Sequence, residues 1–327
     1  MKIHTLKKST FQASVIAVEP LPVTGNRHNY LMTMKLDRAF EAFPGQFIQI
    51  RLADLPAQPQ RILEYHEDTL TPWPDVQPNL KEKSPLLNRP FSIAGLASAN
   101  DSSQLSVMYN VKGPGTLKLS RCRPGETLTV LGPLGRRGFS LPEQIDRVII
   151  VAGGMGLAPM LYWSSRLVQA KLPITLLIGA QTAAHLPLPE AVHRRASDRQ
   201  SSIETVPDAF KHLLDWHVDI HLATDDGSAG TRGLVTTLLE TFLTEKLAHE
   251  RWVIYSCGPW AMLRSVANQA RRANIRCQVS LEQMMACGIG TCQSCIVKTH
   301  SPQPPFWQYE LCCTDGPVFD AESVIWD

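Results

Sequence analysis

The chain has no long apolar run. Its longest aliphatic stretch, Val148 to Ala152, is far short of the ~20 residues a helix needs to span a bilayer. It has no charge imbalance either. Lys and Arg total 32 against 30 Asp and Glu, a net charge of +2. Neither nucleic acid nor an anionic membrane is therefore an expected partner. Arg136–Arg137 and Arg271–Arg272 are isolated pairs that read as solvated faces. The first residues, Met1 to Thr10, are basic but lead into no apolar run of signal-peptide length, so a cytoplasmic protein is expected. The ten histidines show no metal spacing. His212, His217 and His221 share no helix face and read as solvated or core residues. A disulfide framework is missing too, because Cys122, Cys257, Cys277 and Cys312 are scattered as reduced thiols are. No base lies near Cys257 in sequence, which argues against a nucleophilic enzyme.

What the chain does have is a cysteine motif. Cys287, Cys292 and Cys295 give Cys-x4-Cys-x2-Cys, and Cys313 follows at a distance. That is plant-type spacing for a [2Fe–2S] cluster, in which one tight loop supplies three thiolates and a later strand the fourth. Gly288 and Gly290 suit a loop that turns through positive φ and brings N–H groups to sulfur. Four cysteines can also bind zinc, but zinc sites usually pair two Cys-x2–4-Cys knuckles, and the second is missing here. The adjacent Cys312 is the competing fourth ligand.

The 327 residues suggest two or three domains at ~150 residues each. The first third reads as all-β. Short runs at 11–18, 30–36, 47–52 and 105–111 are punctuated by Pro-Gly at 44–45 and 124–125, as in a small barrel. Residues 54–85 are proline-rich, lack a periodic apolar face and read as a surface insertion. From Val148 onward, aliphatic strands at 148–151, 174–178, 218–222 and 252–255 alternate with amphipathic helices. The helical faces are Leu157, Met160, Leu161, Leu167 and Val168; Leu234, Val235, Leu238, Leu239, Phe242 and Leu243; and Met262, Leu263, Val266, Ala267 and Ala270. The alternation predicts a doubly wound parallel sheet. The expected fold is multi-domain: a β-barrel over 1–143, an α/β nucleotide domain over 144–281 and a [2Fe–2S] segment over 282–327.

Three further motifs carry chemistry. Gly153, Gly154 and Gly156 follow the first α/β strand and open a helix, where backbone N–H groups can meet a pyrophosphate. Asp225 and Asp226 end the third α/β strand, placed to accept ribose hydroxyls and repel a 2′-phosphate, which predicts NAD(H). Their other reading is a capping pair in a turn. Arg89-Pro90-Phe91-Ser92 opens a barrel strand: the arginine can pair with phosphate, the phenylalanine can cover a flat ring and the serine can hydrogen-bond it. An ordinary amphipathic strand would look the same. Gly113 to Thr116 precedes a short helix at 117–120. It reads as a phosphate cradle or as a turn capped by Thr116. Cys257-Gly258-Pro259 ends the fourth α/β strand, at the edge where such sheets bind ligands. Cys257 reads as a redox thiol, as a small residue beside a ring or as plain core.

In this order the motifs resemble the ferredoxin–NADP reductase superfamily. Met285 to Cys295, closed by Cys313 to Phe319, resembles the electron-transfer subunits of class 1B dihydroorotate dehydrogenase. Thr224 to Ser228 with Gly230 and Gly233 is similar to them too. The resemblance implies FAD in the barrel, held by Arg89, Phe91 and Ser92, with its pyrophosphate at Gly115 and Thr116. It implies NAD at Gly153, Gly154 and Gly156, with Cys257 near the stacked rings, and one [2Fe–2S] cluster. The implied partner is an FMN-containing dihydroorotate dehydrogenase catalytic subunit, in a heterotetramer of two plus two chains. The implied function is electron transfer between that subunit and NAD⁺ in pyrimidine biosynthesis. Two other functions fit the residues: a stand-alone NADH-dependent reductase for another acceptor such as an oxygenase, and a non-enzymatic zinc-bearing interaction module.

Overall fold

Side chains alternate along β1 (Ser9–Pro20), with Phe11, Ala13 and Val15 buried and Gln12, Ser14 and Ile16 outside. Such a strand can close on a core with one face and meet water with the other. It is joined by β2 (Asn29–Leu36), β3 (Phe47–Arg51), β4 (Arg89–Ser98), β5 (Ser103–Asn110) and β6 (Thr127–Leu134). The six form a closed antiparallel barrel in the order β1-β2-β5-β4-β3-β6. Ile48, Ile50, Ile93, Val107 and Val130 fill its interior. The short helix α1 (Pro114–Leu119) starts three residues earlier than the apolar pattern suggests. The computed structural model describes residues 7–21, 29–52, 87–98, 101–197, 206–244 and 249–326. The insertion read at 54–85 lies outside them.

The second half is built on β7 (Arg147–Gly153), β8 (Ile174–Ala180), β9 (Val218–Thr224), β10 (Thr231–Arg232), β11 (Trp252–Cys257) and β12 (Arg276–Ser280). All six are parallel, in the order β10-β9-β8-β7-β11-β12. The helices are α2 (Leu157–Gln169), α3 (Glu190–Ser197), α4 (Val235–Thr244) and α5 (Trp260–Arg272). In β7, Val148 and Ile150 share one core with Leu161 of α2 and Val192 of α3. Ile149 and Val151 share the other with Leu239 of α4 and Leu263 of α5. Burial on both faces is why these strands read as unbroken aliphatic runs. Leu234 departs from the expected face of α4: it precedes the helix and is exposed.

The C-terminal segment adds the hairpin β13 (Ile296–His300) and β14 (Trp307–Leu311), then β15 (Val318–Asp320). β15 pairs antiparallel with β12 and becomes the seventh strand of the sheet. The segment also grips the barrel end. Gly316 O accepts from the N–H groups of Arg136 and Arg137 at 2.8 and 3.1 Å, and Arg137 pairs with Glu310 at 2.9 Å. No helix among the described residues is long and apolar enough to cross a membrane.

The three histidines hold structural places. His217 contacts Asp215 at 2.7 Å and His221 contacts Asp219 at 3.0 Å. His212 is enclosed, its Nε2 2.7 Å from Ser164 Oγ, which itself donates to Leu161 O. Burial pulls His212 down to about 4 from an ordinary 6.5, with Asp215 offsetting part of the effect. The native state therefore refuses a proton that the unfolded chain accepts below 6.5. The associated stability is complete above pH 6.5 and lost as pH falls towards 4. Unfolding in denaturant should report a loss of roughly 2 kcal/mol between pH 7.5 and 5, and His212→Gln should flatten that slope. An equal slope in the variant would contradict this assignment.

Candidate cofactor sites

Three of the motif thiols lie in the loop after β12, and the fourth follows β14. Gly288 (φ 66°) and Gly290 (φ 94°) both adopt the left-handed backbone expected of them. The turn aims the N–H groups of Ile289 and Cys292 at Cys287 Sγ, at 3.5 and 3.3 Å. Cys313 N–H reaches Cys295 Sγ at 3.4 Å. The thiols thus stand in two pairs, Cys287 with Cys292 and Cys295 with Cys313. Two pairs suit two irons better than one tetrahedral zinc. Cys312 turns away, and its buried Sγ donates to Leu281 O at 3.1 Å.

The environments of the thiols differ. Cys292 is exposed, and hydrogen bonds from Ser294, then from Cys287, hold it down at about 6. Cys313 is buried and pushed up to about 12, chiefly by desolvation. Met284 and Ile289 flank the loop and are 88% and 45% exposed. Met285 instead packs against the core that α4 and α5 cover.

The strand order reverses between β7 and β11, and the glycine-rich turn sits there. A Cβ on Gly156 would lie 2.2 Å from Cys257 O, and one on Gly153 2.8 Å from Pro259 Cδ. These two glycines let the β7–α2 turn close onto Cys257-Gly258-Pro259. Gly154 differs: its φ is 52° and no atom lies within 4 Å of where its Cβ would be. That open backbone beside a helix N-terminus is what a pyrophosphate needs. The Cys257 side chain is wholly buried, and desolvation pushes its thiol well up. It packs in the core, and its backbone carbonyl faces the turn.

Asp226 follows β9 and is committed to its own turn. Its Oδ1 accepts from Ser228 N–H at 2.9 Å and Ser228 Oγ at 2.6 Å, which hold the carboxyl below its ordinary range. Asp226 thus caps this turn through Oδ1. Asp225 is exposed at the same carboxyl edge of the sheet.

On the barrel, Gly115 and Arg89 come together, since a Cβ on Gly115 would lie 3.4 Å from Arg89 Nε. Arg89 Nη1 donates to Leu87 O at 2.8 Å, which holds the guanidinium at the strand end. Phe91 is buried, its ring 5.7 Å from that of Tyr109, whereas Ser92 is half-buried on the opposite face of β4. The Thr116 hydroxyl accepts from Lys112 and Gly113 N–H at 3.0 and 3.3 Å, so it shapes the loop before α1.

Two residues beside these sites have no sequence signal. Glu282 follows β12 near Cys257 and Lys112. Burial raises its carboxyl, and Lys112 offsets part of the shift. Gln49 of β3 is buried against Gly288. A lone glutamine in a strand and a lone glutamate after one are too common to single out.

Comparison with known proteins agrees with this layout. Residues 282–325 match the family model described as the iron–sulfur cluster binding domain of dihydroorotate dehydrogenase B. Residues 150–268 match the oxidoreductase NAD-binding domain. The chain is 34% identical over 239 residues to the dihydroorotate dehydrogenase B (NAD(+)) electron transfer subunit of Caldanaerobacter subterraneus subsp. tengcongensis, covering 73% of this chain and 81% of that one. It is 30% identical over 322 residues to the subunit of that name from Desulforamulus reducens, covering 97% and 98%. Among solved structures, an NADH-dependent reduced ferredoxin–NADP oxidoreductase superposes with a TM-score of 0.64 at 24% identity, over 96% of this chain and 90% of that one. The ferredoxin reductase of carbazole 1,9a-dioxygenase gives 0.54 at 18% identity, over 83% and 67%. These two likenesses concern the fold.

Proposed function

The chain belongs to the family of dihydroorotate dehydrogenase B electron transfer subunits, and from that premise we propose that it relays electrons between a dihydroorotate-oxidising partner chain and NAD⁺. The observation that carries this reading is the contact between the four-thiol loop, at Gly288, and Gln49 of β3, the strand beside Arg89 to Ser92. The loop and the flavin motif are thus close neighbours within one chain.

In this reading residues 1–143 hold FAD, 144–281 hold NAD(H) and 282–327 hold one [2Fe–2S] cluster. Cys287, Cys292, Cys295 and Cys313 ligate the irons. Arg89, Phe91, Ser92, Gly115 and Thr116 form the FAD site: Arg89 supplies positive charge beside Gly115, and Thr116 fixes the loop between them. Gly153 and Gly156 bring β7 against Cys257, and Gly154 leaves the backbone open for the NAD pyrophosphate. When bound, FAD supplies the exchange between the two-electron chemistry of NAD(H) and the one-electron chemistry of iron–sulfur. The residues named here bind and orient; none is assigned as an acid or base. The partner carries FMN and assembles as two plus two chains. Cofactor analysis of the purified chain tests the assignment: about one FAD, two irons and two acid-labile sulfides are expected. Zinc in place of iron would overturn it.

Asp225 and Asp226 set the nucleotide preference, accepting the ribose hydroxyls and repelling a 2′-phosphate. NADH should exceed NADPH in kcat/KM by more than about tenfold, the worth of ~1.4 kcal/mol. Asp225→Asn should narrow that gap. Equal values in the wild type would refute the role.

A further inference from the structure

β3 alternates between the barrel interior and the cluster segment. Ile48 and Ile50 lie in the barrel core, whereas Phe47 shares a core with Cys295, Cys312 and Cys313. Gln49 points out with Phe47, and its residue is 1% exposed. Its Oε1 receives Asn88 Nδ2 at 3.5 Å. Its Nε2 is buried with no hydrogen-bond partner, and a Cβ on Gly288 would stand 2.5 Å from it. A buried amide without an acceptor is costly, and such exceptions call for an explanation. Here the orphaned donor points at the loop that carries Cys287, while Gln49 also pairs across the sheet with Pro90 of the flavin motif.

We propose that Gln49 Nε2 is a hydrogen-bond donor to the sulfur of the [2Fe–2S] site and sets its reduction potential from the flavin side. The inference rests on the iron–sulfur reading above. A terminal amide can present either edge, but opposite thiolates and sulfides the N–H edge is favoured. The donor stabilises the more negative, reduced cluster more than the oxidised one, so it raises the potential. Gly288 is part of the arrangement, because any side chain there would occupy the space into which the amide projects.

The test is an EPR-monitored redox titration of holoprotein, wild type against Gln49→Leu, which keeps the bulk and removes the donor. At fixed potential the reduced-to-oxidised ratio should fall roughly threefold to tenfold, tenfold being ~59 mV for a one-electron couple. An unchanged cluster midpoint, or a shift confined to the flavin, would overturn the proposal. If Gln49→Leu fails to assemble, a second measurement leaves Gln49 in place. Gln293, the loop's own glutamine at φ 54°, is replaced by Asn, which tolerates that backbone. Glutamine side chains are labelled with ¹⁵N, and the reduced cluster is studied by pulsed EPR. A ¹⁵N coupling is expected, and its absence would overturn the proposal. Wild-type protein that shows no reduced-cluster signal at all would instead refute the iron–sulfur reading itself.

Discussion

Serine in place of Cys287, Cys292, Cys295 or Cys313 is expected to abolish the iron–sulfur chromophore, with iron falling from about two per chain to near zero. Flavin content should largely survive, because Arg89 to Ser92 and Gly115 lie on a barrel with its own closed core. Each loss removes half of one thiol pair, and no neighbouring cysteine is placed to replace it. Cys312 comes nearest in sequence, but its Sγ is spent on Leu281 O at 3.1 Å. Serine at 312 can donate the same bond, so that variant should keep its cluster. Iron, sulfide and visible absorbance decide the matter. Loss of the cluster in Cys312→Ser with retention in Cys313→Ser would transfer the ligand to Cys312.

The isolated chain should reduce dyes with NADH and fail entirely to oxidise dihydroorotate. The described architecture holds one six-stranded barrel, one α/β sheet and the cluster segment. A second barrel with its own dihydroorotate site would take ~250 residues more. Met284, Ile289 and Cys292 leave the loop open to an approaching protein. Alanine at Met284 or Ile289 should weaken coupling to the partner without altering dye reduction. Turnover of dihydroorotate by the purified chain alone would contradict this division of labour.

The parts of the fold legible in the sequence are those with a strong local signature. Continuous aliphatic runs located β7, β8, β9 and β11, because a parallel strand is covered on both faces. The cysteine spacing located the loop, and Gly288 and Gly290 adopt the positive φ that the wrapping requires. Other parts had no local signal. β12 (Arg276–Ser280) is a short sheet strand in which polar Gln278 is buried. The polar helix α3 presents Val192 to the core, with Ala191 and Ala196 packed beside it. The docking of β15 onto β12 is a long-range pairing that periodicity cannot reveal. The same holds for Gln49, whose importance lies in a contact 239 positions away along the chain. Cys257 shows another limit: its motif was legible, but that its side chain is buried and its carbonyl packs against Gly156 was not.

The central claim is that this chain connects dihydroorotate oxidation on another polypeptide to NAD⁺. The direct measurement mixes the purified holoprotein with the dihydroorotate dehydrogenase B catalytic subunit and follows dihydroorotate-dependent NADH formation under anaerobic conditions. Neither chain alone should form NADH, the mixture should, and Cys295→Ser should lose that activity while keeping its NADH–dye reaction. NADH formation that persists undiminished without the cluster, or a mixture no more active than its separate components, would contradict the account.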